Sequence, residues 1–178
     1  MARTPLSIEE ITAALSRVGG LAPRLGIVFE RHHGRMRCRM PIDERHVGAP
    51  FVAHGGAVMT LLDMALGVDA LERAAARGKA TSTVELKVNF LRPAKVGTVL
   101  VTETTIEYEG KSLLVVSGRA RELDSGRAVA LAVGTFNFYA GDMAARLTAH
   151  GSTQPEDPDR GGVAAEGNGG PGDGSSGA

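Results

Sequence analysis

His54-Gly-Gly-Ala-Val-Met-Thr-Leu-Leu-Asp-Met-Ala-Leu-Gly-Val-Asp-Ala-Leu-Glu-Arg73 is a proline-free run rich in Ala, Leu and Met, residue types that lose little freedom on entering a helix. Arg77-Gly78 beyond it supplies a basic last turn and a glycine stop. The run predicts one long helix, apolar around most of its circumference until Asp69, and such a helix is buried on several sides. After it the period changes from helical to two: Val84, Leu86, Val88 and Phe90 alternate with Thr83, Glu85, Lys87 and Asn89 until Pro93-Ala-Lys-Val-Gly97 breaks the pattern. Residues 99–108, 111–123 and 127–139 read as three more strands, joined at Glu109-Gly110 and Asp124-Ser-Gly126 by good hairpin turn chemistry.

Before the helix, residues 25–31 and 35–41 predict a hairpin turning at His33-Gly34, followed by an irregular stretch over residues 42–53. Met36, Cys38 and Met40 alternate there with Arg35, Arg37 and Arg39, and we read the arginines as a solvated strand face in preference to a phosphate-binding one. Ser7-Ile-Glu-Glu10 has capping-box spacing and opens a short amphipathic helix on Ile8, Ile11, Leu15 and Val18, stopped by Gly19-Gly20. The expected architecture is α+β, a curved antiparallel β-sheet wrapping its apolar face around one long central α-helix.

The 178-residue chain has 20 basic and 20 acidic side chains, but the balance is a cancellation. Residues 1–140 hold 18 basic and 14 acidic groups, net +4, and residues 141–178 hold 2 and 6, net −4. The second segment also carries ten of the 24 glycines and almost no large apolar residues, a composition too poor in burial to offset the entropy of ordering. The division expected is an N-terminal helix and linker over residues 1–24, a folded domain over 25–140 and a disordered, acidic, Gly-rich tail over 141–178. A neutral chain lacks the basic footprint of a nucleic-acid binder. The lone Cys38 excludes an intrachain disulfide and a cysteine-rich zinc site. With no signal-type apolar core at the N-terminus, and with the apolar run of residues 51–68 interrupted by His54 and Asp63, neither secretion nor membrane insertion is expected. The cytoplasm is the expected compartment.

The chemistry sits in the central helix. His54-Gly55-Gly56 opens it, and the first turn of a helix presents amides without intrahelical partners at the positive end of its dipole. Glycines leave those amides open to a carboxylate, a phosphate or a polarised carbonyl oxygen. Asp63 lies between Leu62 and Met64 in the most apolar part of the helix, where an ionised carboxylate is costly unless it is paired or used. Gly56 and Asp63 are seven residues apart, nearly on one face but ~10 Å apart along the axis, and a nucleophile must come within ~3.5 Å of its carbonyl. If both act on one carbonyl, two helices must face each other antiparallel in a two-fold dimer with two composite sites.

His54-Gly-Gly followed after six residues by Asp63, with Asn89-Phe-Leu-Arg-Pro-Ala94 closing the next strand, resembles the hotdog-fold acyl-CoA thioesterases, particularly the phenylacetic-acid-degradation type. The resemblance runs over about residues 25–139 and includes the Tyr-Glu-Gly-Lys111 turn and the Gly134-Thr-Phe-Asn-Phe-Tyr139 strand. It implies a homodimer, paired into a homotetramer, that hydrolyses an acyl-CoA thioester at the subunit interface with no metal and no cofactor. By position it implies that the Gly56 amide polarises the carbonyl beside Gly55, that His54 orients the carbonyl or the leaving sulfur, and that Asp63 of the facing protomer attacks or activates water. Thr83 matches a Ser or Thr that places the nucleophile or water, and strand alternation puts it on the face away from the helix. Arg92 and Lys95, and more remotely Lys111, fall in segments that meet the CoA phosphates. Relatives carry an Asn before the His-Gly-Gly; here the loop is two residues longer, with His46 where that Asn would fall, as a substitute polar contact to substrate. Two alternatives stay open at the level of sequence: a non-catalytic acyl-CoA-binding module of the same fold, and a hydratase. Two tyrosines, five phenylalanines and no tryptophan leave the acyl group unspecified.

Overall fold

The computed structural model describes residues 7–17 and 20–141. The acidic tail beyond residue 141, Val18 and Gly19 at the expected helix end, and the apolar side chains Ile8, Ile11 and Leu15 lie outside the described residues. Helix α1 (Ile8–Arg17) opens on the expected capping box: Glu10 N–H donates to Ser7 Oγ at 3.3 Å and Ser7 N–H to Glu10 Oε2 at 2.8 Å. A one-turn helix α2 (Leu21–Arg24) follows, then the hairpin β1 (Val28–His32) and β2 (Arg35–Pro41). His33 and Gly34 both take positive φ, 47° and 77°, the conformation of a tight two-residue hairpin turn. Residues 21–24 were expected as linker and 25–27 as strand. Instead Ala22 is buried in the core and its carbonyl accepts from Ile27 N–H at 2.8 Å, so this segment forms part of the domain wall.

The stretch over residues 42–53 contains a single 3-10 turn (Glu44–His46) and a two-stranded ribbon, β3 (Val47–Ala49) with β4 (Val52–Ala53). It leads into helix α3 (Gly55–Ala76), closed at Arg77 with Gly78 at φ 61°. Four long strands complete the chain: β5 (Lys79–Phe90), β6 (Val99–Glu109), β7 (Leu113–Glu122) and β8 (Ala128–Ala140). Six strands form one antiparallel sheet in the order β1-β2-β6-β7-β8-β5, and α3 packs across it against β2, β5, β6, β7 and β8. No helix among the described residues is long and apolar enough to cross a membrane.

The helix sits unusually close to the sheet. Leu61, Leu62 and Leu66 are each fully buried, and Leu66 is seated against two glycines, Gly118 on β7 and Gly134 on β8. A Cβ at Gly118 would lie 2.7 Å from Leu66 Cδ1 and 3.1 Å from the Glu103 carbonyl, and one at Gly134 would lie 3.0 Å from Leu66 Cδ2. Asp69, read from sequence as the point where α3 turns polar, is itself only 8% exposed, because it faces inward toward the Cys38 side of the sheet. Burial, with the Asp69 and Glu30 carboxylates adding, pushes the Cys38 thiol up to about 12. On the outer side of β2, Arg37 and Arg39 both reach Glu30 of β1, at 2.7 and 3.4 Å, so two of the three arginines of the stripe are paired within the hairpin.

One departure from simple alternation matters for function. Strand β5 pairs with β8 as Thr83↔Phe136 and then Glu85↔Thr135, leaving Val84 as an extra residue. This is a β-bulge, and a bulge reverses which residues face the core. Leu86 and Val88 still pack on the helix side, but so does Thr83, opposite the buried Phe136, while Val84 is 61% exposed. The alternation read from sequence therefore places Thr83 on the wrong face.

The Leu66 contact gives a stability prediction. Gly118→Ala should cost about 1–3 kcal/mol by overpacking, read as a lower urea midpoint at unchanged slope, and Leu66→Ala in the same chain should make the added methyl far less costly. Equal costs in both backgrounds would mean that the glycine does not serve this contact.

Candidate active site

His54 is the N-cap of α3, with extended backbone (φ −61°, ψ 140°). In place of the usual hydroxyl or carboxylate cap, its ring Nδ1 accepts the Gly56 N–H at 3.0 Å. A neutral ring accepting at Nδ1 carries its proton at Nε2, which leaves Nε2–H as an outward donor. The expectation that the Gly56 amide stands open is corrected, since His54 occupies it. Gly55 N–H is the amide of this turn without a partner among the described residues. Two close approaches hold the arrangement. A Cβ at Gly48 would lie 2.5 Å from His54 Cδ2, and one at Gly55 would lie 3.1 Å from the Phe90 ring.

His46 does not face this site. Its side chain is fully buried, Nε2 lies 2.8 Å from the Leu25 carbonyl, and Nδ1 lies 2.9 Å from Asp43 Oδ1. A ring sealed in this way cannot touch a substrate, so the reading of His46 as a polar substrate contact is overturned. What His46 contributes is its carbonyl, which accepts His54 N–H at 2.6 Å. Between them, Phe51 takes φ 61° at 81% exposure.

Two turns further along α3, Thr83 Oγ1 donates to Asp63 Oδ1 at 3.1 Å. The bulge at Val84 makes this bond possible by turning Thr83 toward the helix. Asp63 is half-buried, and with one oxygen anchored by the hydroxyl the carboxylate is held in one orientation without being neutralised. The pair stands at a cavity of about 280 Å³. From α3 the cavity takes Met64, Gly67, Val68 and Leu71, the residues that share Asp63's face at helical spacing. Facing them are Phe29 of β1 and the Leu21-Ala22 turn of α2. Sequence reasoning missed this lining. The signal was present in the helical spacing from Asp63 to Leu71, but the opposing wall comes from segments distant in sequence.

The basic residues divide between the two ends of α3. Lys95 lies beside the helix start, its backbone bridged to Val52, and is exposed. Arg92, close by, donates from Nη1 to the Ala128 carbonyl at 2.9 Å. Lys111 is at the other end, in the β6–β7 turn, where its carbonyl accepts from Lys79 Nζ at 3.3 Å. A 22-residue helix separates the two groups by ~30 Å, so one chain does not bring Lys111 to Arg92 and Lys95. Among the described residues no group of three or more His, Cys, Asp or Glu side chains is placed to hold a metal ion.

Residues 52–129 match the thioesterase superfamily. A protein of Saccharolobus solfataricus named as an esterase is 34% identical over 137 residues, covering 75% of this chain and 87% of its own length. The chain belongs to the thioesterase superfamily. Human acyl-coenzyme A thioesterase 13 is 25% identical over 126 residues, 70% of this chain and 89% of that protein. Among solved structures, the Escherichia coli PaaI protein of the phenylacetic acid degradation operon superposes with TM-score 0.64 at 21% identity, over 78% of this chain and 99% of that one. A Bacillus halodurans protein solved with CoA superposes with TM-score 0.61 at 28% identity, over 75% of this chain and 95% of that one. The six-stranded sheet around one long helix is the hotdog fold of these thioesterases, and the chain is a thioester hydrolase.

In this thioesterase the Gly48 contact predicts a specific lesion. Gly48→Ala forces the His54 ring off Gly56, and thioester hydrolysis should fall roughly tenfold or more from the misplacement while the chain stays folded by circular dichroism. Unchanged turnover would mean that the ring position is immaterial.

Proposed function

We propose that the chain hydrolyses acyl-CoA to the free acid and CoA at a site completed by a second copy. The observation that carries this reading is the Asp63–Thr83 pair, a carboxylate anchored by one hydroxyl bond of 3.1 Å at the edge of an apolar cavity. The donors at the start of α3 lie ~10 Å from it along the same straight helix, too far to serve one carbonyl. Strand β5, which carries Thr83, is an edge of the sheet with twelve residues and one unpaired side, and an exposed edge of that length invites pairing. A two-fold pairing through β5 brings the helix start of one copy toward Asp63 of the other.

In the composite site the thioester oxygen is received by Gly55 N–H and by Nε2–H of His54, whose ring is held in place by the Gly56 N–H on Nδ1. Asp63 of the facing copy attacks the carbonyl carbon, or takes a proton from the water that does so. The carbon–sulfur bond breaks and the thiolate leaves, taking up the proton released from water to become CoA; on the attack route that water then cleaves the acyl–Asp63 anhydride to free the acid. Donors fixed where negative charge develops lower the barrier because they need no reorganisation. Arg92 and Lys95, beside the helix start, are the cations for the CoA phosphates. Exposed Leu131 and Val133 on the outer face of β8 support the pairing of two dimers into a tetramer, and the single buried thiol suits a reducing cytoplasm.

Asp63→Asn is isosteric and keeps an acceptor for Thr83. Release of free thiol from acyl-CoA should fall by at least ~10³-fold with the thermal midpoint within a few degrees of wild type. Near-wild-type release from this variant would sink the assignment. Thr83→Val should cost less, roughly tenfold, because it loosens Asp63 without removing it.

A further inference from the structure

We propose that the cavity beside Asp63 and Thr83 holds the acyl group, and that its size selects linear acyl chains of medium length. The inference rests on the acyl-CoA reading and adds the substrate class. The pantetheine arm of CoA has amides and a hydroxyl that need partners when buried. Apart from Asp63 and Thr83, the cavity offers only apolar side chains and glycine, so the thioester part that can enter without loss is the acyl chain.

Volume sets the length. A dry cavity of ~150 Å³ accepts one benzene, or ~25 Å³ per carbon. On that scale, which already includes imperfect filling, the 280 Å³ here takes a chain of about ten carbons. Its walls run along α3 from Asp63 to Leu71, ~12 Å at 1.5 Å per residue. The cavity is open on one side, so a palmitoyl chain would leave its last carbons outside it in water, without the gain of burial. The outer wall is Leu21-Ala22 of α2, where Ala22 is buried and Leu21 is 53% exposed.

Gly67 gives a direct handle. A Cβ there would meet only Phe136 Cε1, at 3.9 Å, an ordinary contact, and Gly67 itself lines the cavity, so side-chain bulk added at this position reduces the space available. The experiment measures kcat/KM by thiol release on the full chain, for acyl-CoAs from butyryl to palmitoyl. Wild type should peak near octanoyl or decanoyl, with palmitoyl at least ~10-fold lower. Gly67→Leu should move the peak to hexanoyl or shorter, lowering decanoyl relative to butyryl by roughly tenfold or more. Leu21→Trp, which narrows the opposite wall, should shift the profile in the same direction. A wild-type profile that peaks at palmitoyl, or variants that reduce every chain length by the same factor, would overturn the cavity assignment and leave thioester hydrolysis standing. A wild type that hydrolyses no acyl-CoA would overturn both.

Discussion

Leu66, wedged between Gly118 and Gly134, sets how close the central helix lies to its sheet. Were either glycine replaced by a residue with a Cβ, the contact would be 3.0 Å or less, and either the Leu66 side chain would turn out of its rotamer or the helix would lift. Lifting would break more than packing. Asp63 is one turn earlier on the same helix, and its hydroxyl partner Thr83 belongs to the sheet; a bond of 3.1 Å survives only if the spacing between the two layers is kept. The acyl-sized cavity depends on the same spacing, since Met64, Gly67 and Val68 are interleaved with the residues that bury the helix. Core and site are alternate faces of one element, which is why a single packing contact governs both.

The helix also divides the chemistry. Its first turn holds the donors, through an N-cap that uses an imidazole where a hydroxyl or carboxylate is usual, and its third turn holds the carboxylate. Rigid helical geometry keeps the two apart within one chain, so in the proposed mechanism proximity comes from symmetry. The β-bulge at Val84 is the local device that gives the carboxylate its hydroxyl partner, because it turns Thr83 toward the helix at the edge of the sheet. Asp69, in contrast, is buried with Oδ2 unpartnered among the described residues.

Much of the fold is legible in the residues themselves. The apolar run from Gly55, the glycine after Arg77 and the hairpin turns at His33-Gly34, Glu109-Gly110 and Asp124-Ser-Gly126 are local signals, and the observed elements fall within a few residues of them. So are His54 and Asp63, since a histidine before two glycines and an acid among leucines are anomalies of composition. What is not legible depends on partners distant in sequence. The face of Thr83 is decided by the register of β5 on β8, which no alternation count contains. Burial of His46 follows from the Leu25 carbonyl reaching its ring, and the wall at Leu21-Ala22 exists because that turn folds onto β1 and α3. A four-residue helix containing Pro23 carries too little period to be seen.

The claim on which the rest turns is that the helix start and Asp63 of one site come from different copies. Two tagged chains test it when co-expressed and purified through both tags: one with Asp63→Asn, the other with His54→Ala and Gly55→Pro. Proline suits the first helical position and removes its N–H, and the Phe90 ring, 3.1 Å from where the new Cβ would lie, is exposed and free to turn aside. Each variant alone should be at least ~100-fold impaired. The mixed assembly contains one intact composite site per dimer and should recover up to about half the wild-type rate of thiol release. A mixed assembly no more active than the better of its two parents would contradict the account.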